Sequence, residues 1–203
     1  MQINKEAECE VVKKKIRKTQ KDWIDYFNNK GEKMISAPDI YKIAKEENKS
    51  IIESLKQDFK DSWEVTSTRI IYNKDNLEAE IIHDADSKIS KPKSYKVTIP
   101  EFDDEAKQDE ETEKYLQALF DTKDDITTIL KVLKRFDKDR KIYLWTPSQS
   151  SRKDKQVRSV VLYFYVFDRF GVGGDWFGDG DGLSRGVIVN SAKQTKKSKG
   201  ASK

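Results

Sequence analysis

Seven of the nine glycines in this 203-residue chain fall in one stretch, RFGVGGDWFGDGDGLSRG at residues 169–186, together with Asp175, Asp179 and Asp181. Closely spaced aspartates among glycines are the raw material of a divalent-cation loop, since hard cations want several oxygen ligands on a backbone that can turn sharply. The register does not supply them. An EF-hand loop that starts at Asp175 puts Phe177 third and Gly186 twelfth; one that starts at Phe177 places Asp179, Asp181 and Gly182 well but makes Phe177 and Ile188 the end ligands. Phosphate loops fail too, because neither a Gly-Lys-Ser/Thr step nor a complete G-x-G-x-x-G is present. The stretch is expected to be a long irregular loop between two apolar strands that holds itself in shape with glycine and aspartate turns. Asp175, Asp179 and Asp181, with Asp168 beside them, are the metal candidates of this stretch, no cofactor is expected, and a metal-dependent hydrolase ranks as the third functional reading.

Other chemistry is sparse. His83 is the only histidine, and although Asp84 and Asp86 follow it, it has no histidine or cysteine partner. The end of a hairpin strand is an ordinary structural place for it. Cys9, the single cysteine, excludes an internal disulfide and a thiolate zinc cluster and fits a reducing compartment. The N-terminal residues lack a signal-peptide apolar run and no stretch has the length of a membrane span, so a cytoplasmic protein without membrane contact is expected. TPSQSSRKDKQVR, residues 146–158, sets Arg152, Lys153, Lys155 and Arg158 among hydroxyls, close to Tyr143 and Trp145. Cations, hydroxyls and aromatic rings are what a phosphate-backbone contact uses.

These side chains must be carried by a modest core, for hydrophobic residues make up 35% of the chain and charged ones 37%. The aromatic content argues for a folded chain all the same. Val12, Ile16, Trp23, Ile24 and Phe27 form an amphipathic helical stripe over residues 8–29, ended by Gly31. Its opposite face bears Lys13, Lys14, Arg17, Lys18 and Lys21. Ser36, Pro38 and Asp39 then open a second helix with a capping box, and the helix breaks at EENKS, where Asn48 tolerates a left-handed turn and Ser50 can cap the next helix. WEVTSTRIIY and LEAEIIH around the turn NKDN read as a hairpin, with SYKVTI a third strand.

The sequence of helix, apolar step, helix, tight turn, helix, strand, turn, strand over residues 11–84 resembles the winged-helix family of DNA-binding domains, and IYKIAKEENKSIIESLKQDF resembles its helix-turn-helix. The resemblance implies that residues 50–60 enter the major groove with Lys49, Ser50, Ser54, Lys56 and Gln57 available for contact, and that Lys74 lies at a wing tip near phosphate. The helix has no arginine and carries Glu53 and Asp58. Binding is therefore expected to act chiefly through phosphate.

Residues 101–113 hold eight carboxylates against one lysine and are expected to be an acidic linker. Beyond it, helical stripes at residues 115–120 and 126–136, the latter with Thr122 and Asp125 spaced as a capping box, precede the strands KIYLW, VVLYFYVF and GVIVN. The fold class is thus α+β: a winged-helix-like unit over residues 1–100, then a smaller unit of two helices and antiparallel strands over 114–192. Residues 193–203 read as a disordered basic tail. A DNA-binding protein is the first functional reading. The alternative is a structural protein that forms a homo-oligomer through the apolar VVLYFYVF sheet and the aromatic glycine stretch.

Overall fold

The computed structural model describes residues 2–3, 17–74, 76–148, 150, 155–165, 169–176 and 182–188. Strand β1 (Gln2–Ile3) is followed by helix α1 (Gln20–Asn29), which begins where the Thr19 side chain accepts from the Asp22 amide and ends before Gly31 at φ +73°. Residues 17–19, expected to be helical, are not, and Lys18 instead bridges Gly182 across to another segment. Val12, Ile16, Lys13 and Lys14 lie outside the described residues. After β2 (Lys33–Met34), Ser36 and Asp39 form the expected capping box on α2 (Ala37–Lys45). The break that follows differs in detail: Glu47 takes the left-handed conformation at φ 56°, and Asn48 caps α3 (Lys49–Asp61) by accepting from the Ile51 amide at 3.3 Å. A short carboxamide is among the best acceptors at that position, so Ser50 is left inside the first turn.

The remaining elements are β3 (Glu64–Tyr72), β4 (Glu78–His83), β5 (Lys93–Thr98), β6 (Asp103–Glu105), α4 (Glu110–Phe120), α5 (Ile126–Leu133), β7 (Lys141–Trp145), β8 (Gln156–Tyr165), β9 (Arg169–Trp176) and β10 (Gly186–Ile188). They confirm an α+β protein. Seven strands form one sheet in the order β5-β4-β3-β8-β9-β7-β6, in which β7 and β9 run parallel and the other pairs antiparallel. β8 stands fourth, as its unbroken apolar run requires of a strand covered on both faces. Through the β3–β8 pair, strands from both sides of the acidic stretch share this sheet.

Two expectations are corrected. Residues 101–113 are not a bare linker but carry β6 and the first turn of α4. Carboxylates that repel one another in a free chain are favourable at a helix N-terminus: Asp109 caps α4, with Glu110, Glu111 and Glu113 in its first turn. Residues 169–176 are not loop but strand β9, and their partner β7 is parallel. Phe170 and Val172 alternate into the core, while Gly171 between them and Gly174 beyond make room for Tyr163 and Arg158 of the neighbouring strand.

Helices α2 to α5 pack on one face of the sheet around Ile70, Ile81, Leu144, Leu162, Phe170 and Val172. On the other face α1 brings Trp23, Ile24 and Phe27 against Val65 and Val161. A small sheet, β1-β10-β2, pairs beside it. None of the described helices is long and apolar enough to cross a membrane.

At the turn from α3 into β3 the chain buries charge. Arg185 donates from Nε to Asp58 Oδ2 at 2.8 Å and from Nη2 to both Asp58 and Ser54. Glu64 beside them is fully buried, and neither of its carboxyl oxygens receives a hydrogen bond from a protein donor. Burial first, and the neighbouring Asp58 charge second, push the Glu64 carboxyl well above the usual carboxylate range, against the opposing pull of Arg185.

Candidate functional site

The part of the sheet face that α1 leaves uncovered forms a cleft of about 450 Å³ over β7, β9 and β8. Pairing register sets its walls. Asp103, Trp145, Gly173, Val161 and Val65 are successive cross-strand partners, so they lie in one row across the sheet; Glu105, Tyr143, Gly171 and Tyr163 form the next. Period-two alternation keeps each row on a single face. Trp63, at the end of α3, closes one side with its ring 5.9 Å from that of Tyr163, and it is 41% exposed.

The cleft joins cations to rings. The Arg169 guanidinium lies 4.7 Å from the Tyr143 ring centre and that of Arg158 lies 5.4 Å from Trp145. Arg169 is exposed, whereas Arg158 is 6% exposed and works mainly as a support for Trp145. Asp103 supplies the one opposing charge in the lining and accepts a hydrogen bond from the Tyr143 hydroxyl, which raises that phenol to about 12. Guanidiniums over half-buried aromatic rings can hold a flat, anionic ligand, with cation–π contact contributing about 0.5–1 kcal/mol at exposed sites and more when desolvated.

The basic residues expected to bind DNA are dispersed. Arg17 donates to the Asp61 carbonyl at 3.3 Å, two residues from Trp63, and so stands near the cleft. Lys18 packs over Trp23, and Lys21 pairs with Asp25 at 3.2 Å on the α1 surface. On α3, Lys49, Ser50 and Gln57 are exposed, Ser54 accepts from Arg185, and Lys56 is paired with Glu53 at 3.0 Å. Lys74 is exposed in the β3–β4 turn, at the opposite end of β3 from Trp63 and so roughly 30 Å from it at the usual strand rise. Arg152 and Lys153 lie outside the described residues, as do Asp168, Asp179 and Asp181; β9 reaches past Asp175, whose side chain is likewise not described. Among the described residues no group of three or more His, Cys, Asp or Glu side chains could hold a metal ion.

Comparison with protein-family models, with curated proteins and with solved structures finds no match. Function rests on the chemistry of the cleft itself. Of its residues, Tyr143, Trp145 and Arg158 stand out in sequence beside the basic stretch at 146–158. Trp63 does not, Tyr163 reads only as part of the apolar run VVLYFYVF, and Arg169 and Gly173 fall in the glycine stretch that reads as loop. The alternation of Phe170 and Val172 between glycines was the available signal for β9, and with that strand in place the cleft follows.

His83 is structural. It is 4% exposed, with Nε2 2.9 Å from the Ala118 carbonyl and Nδ1 3.1 Å from Thr68 Oγ1. A carbonyl only accepts, so Nε2 carries the proton and Nδ1 accepts from the Thr68 hydroxyl. Burial lowers the pKa of this imidazole below its ordinary value near 6.5. The unfolded chain then takes up a proton more readily than the folded one, and the contribution of neutral His83, complete above pH 6.5, is lost as the pH falls through the lowered native value. Melting temperatures should therefore drop on acidification below pH 6.5 more steeply for the native protein than for His83→Gln. Parallel curves for the two would remove His83 from the acid response.

Proposed function

We propose that the protein binds nucleic acid, with the sheet cleft as its principal contact and phosphate held by exposed arginine. The observation that supports this most is the pair of guanidiniums placed over Tyr143 and Trp145 in an open cleft. In this reading Arg169 meets a phosphate, Arg17 extends the positive rim, and Trp63 and Tyr143 offer ring faces. Guanidinium suits phosphate because its planar fork donates two hydrogen bonds at once. The α3 surface, where Glu53 neutralises Lys56, is a secondary contact. DNA is the first ligand to test.

Binding of labelled single and double strands should weaken steeply with salt, with a log–log slope of about −0.7 per phosphate neutralised for single strands and −0.9 for duplex. Arg169→Ala should flatten that slope by about one phosphate and weaken binding several-fold at low salt, whereas Lys21→Ala should do neither. Absence of any binding at low salt sinks the proposal.

A further inference from the structure

We propose that the seat above Gly173 takes one unpaired nucleobase of a single strand. This rests on the nucleic-acid reading and narrows it to the form of strand bound. Trp145 and Val161 are the immediate row neighbours of Gly173, on the strands to either side. Their Cβ atoms are thus two strand spacings apart, roughly 9.5 Å, and Gly173 itself sets no side chain between them. A flat ring placed there can reach van der Waals contact, about 3.5–4.0 Å, with Trp145 on one side, with Val161 beyond it on the other.

The adjacent row shows how such a seat is used. At Gly171 the Tyr163 ring lies on the glycine so closely that an added Cβ would stand 2.5 Å from ring carbon Cζ. At Gly173 an added Cβ would stand 3.4 Å from Trp145 Cβ and 3.9 Å from its ring carbon Cε3, so that ring flanks the glycine without lying on it as Tyr163 lies on Gly171, and the residue lines the cleft. One glycine therefore carries a ring of this chain, and the next presents the same kind of seat to a ligand.

The row ends at Asp103, whose Oδ1 accepts from Tyr143 and whose other oxygen can accept from a base amino or imino N–H. Arg169 stands two rows away, with its guanidinium 4.7 Å from the centre of the Tyr143 ring in the row between, to meet the phosphate of the same nucleotide. In a duplex both faces of a base are stacked on its neighbours and only its edges reach the grooves, so a seat that grips faces selects unpaired bases.

The test uses the full chain with a labelled single strand of about a dozen nucleotides, the same sequence as a duplex, and a mononucleotide as competitor. Gly173→Val fills the seat from a strand position that favours β-branched residues, and Trp145→Leu removes the stacking wall while keeping an apolar residue. Melting curves of both variants establish that they fold. Single-strand affinity should fall roughly 10-fold to 100-fold in each variant, the measure of one lost base–aromatic stack, and by clearly more than duplex affinity falls in the same variant. Oligonucleotide should also quench tryptophan fluorescence in the native protein. Single-strand affinity that survives Gly173→Val, or equal affinity for both strand forms, overturns the seat while leaving the phosphate contacts standing. A mononucleotide that binds as tightly as the oligonucleotide overturns the assignment to a strand. Failure of every nucleic acid to bind removes the functional reading along with the seat.

Discussion

Arg185→Ala is expected to destabilise the protein by about 3–5 kcal/mol, because it leaves the buried Asp58 carboxylate without its ion pair. Asp58 is 3% exposed and Arg185 2%, so water cannot replace the lost donors without opening the turn between α3 and β3. Ser54 loses a donor in the same substitution. For a chain of this size each kcal/mol is worth about 2–4 °C in melting temperature, which puts the expected drop at roughly 6–20 °C. Pairing the change with Asp58→Leu should recover part of the loss, because removing both charges together leaves neither one stranded. If Arg185→Ala melts within a degree or two of the native protein, the pair does not hold α3 to the 182–188 segment as described.

Glu64→Gln should act in the opposite direction. The native state holds the Glu64 carboxyl with its proton well above the usual carboxylate range, while the unfolded chain releases that proton near 4.5. The favourable contribution of the protonated group is complete below pH 4.5 and is lost progressively as the pH rises towards the native value. A glutamine does not titrate, and its amide can donate to Asp58, a type of hydrogen bond that contributes about 1.5–3 kcal/mol. Denaturant midpoints should thus be higher for the variant at neutral pH and converge with the native protein below about 4.5. A variant that is less stable at pH 7 would show that Glu64 is matched by donors beyond those described.

Much of the architecture is readable from local chemistry. The Ser36 capping box, the Gly31 helix stop, the β3–β4 hairpin and the central place of β8 all follow from residue types within a few positions of each other. What escapes is set at long range. β9 reads as loop because six of its eight residues are Gly, Asp, Arg or Trp, which leaves only Phe170 and Val172 to alternate, and only its neighbours explain the glycines. The acidic stretch reads as linker because charge density is a composition signal, whereas the dipole of α4 and the Lys141 and Tyr143 contacts that use those carboxylates are tertiary. The cleft escapes for the same reason: Trp63, the Tyr143–Trp145 pair and Tyr163 are far apart in the chain and converge only through strand register and the turn into β3.

The pairing of β3 with β8 has a consequence for how the chain is made. The Thr66 hydroxyl donates to the Val160 carbonyl across 94 residues, and Trp23 Nε1 donates to the Gly182 carbonyl across 159. Contacts of such sequence separation form late and slow folding, because the entropy of closing the intervening loop must be met first. On a ribosome adding about 5–20 residues per second, β3 emerges roughly 5–20 s before β8 exists to cover it. During that interval Val65, Ile70 and Tyr72 and one whole strand edge stand open to other nascent chains. The lysines of β5 guard the far edge of the same hairpin sheet throughout, so it is the β3 edge, interior in the finished protein, that a chaperone must shield or an aggregate would capture.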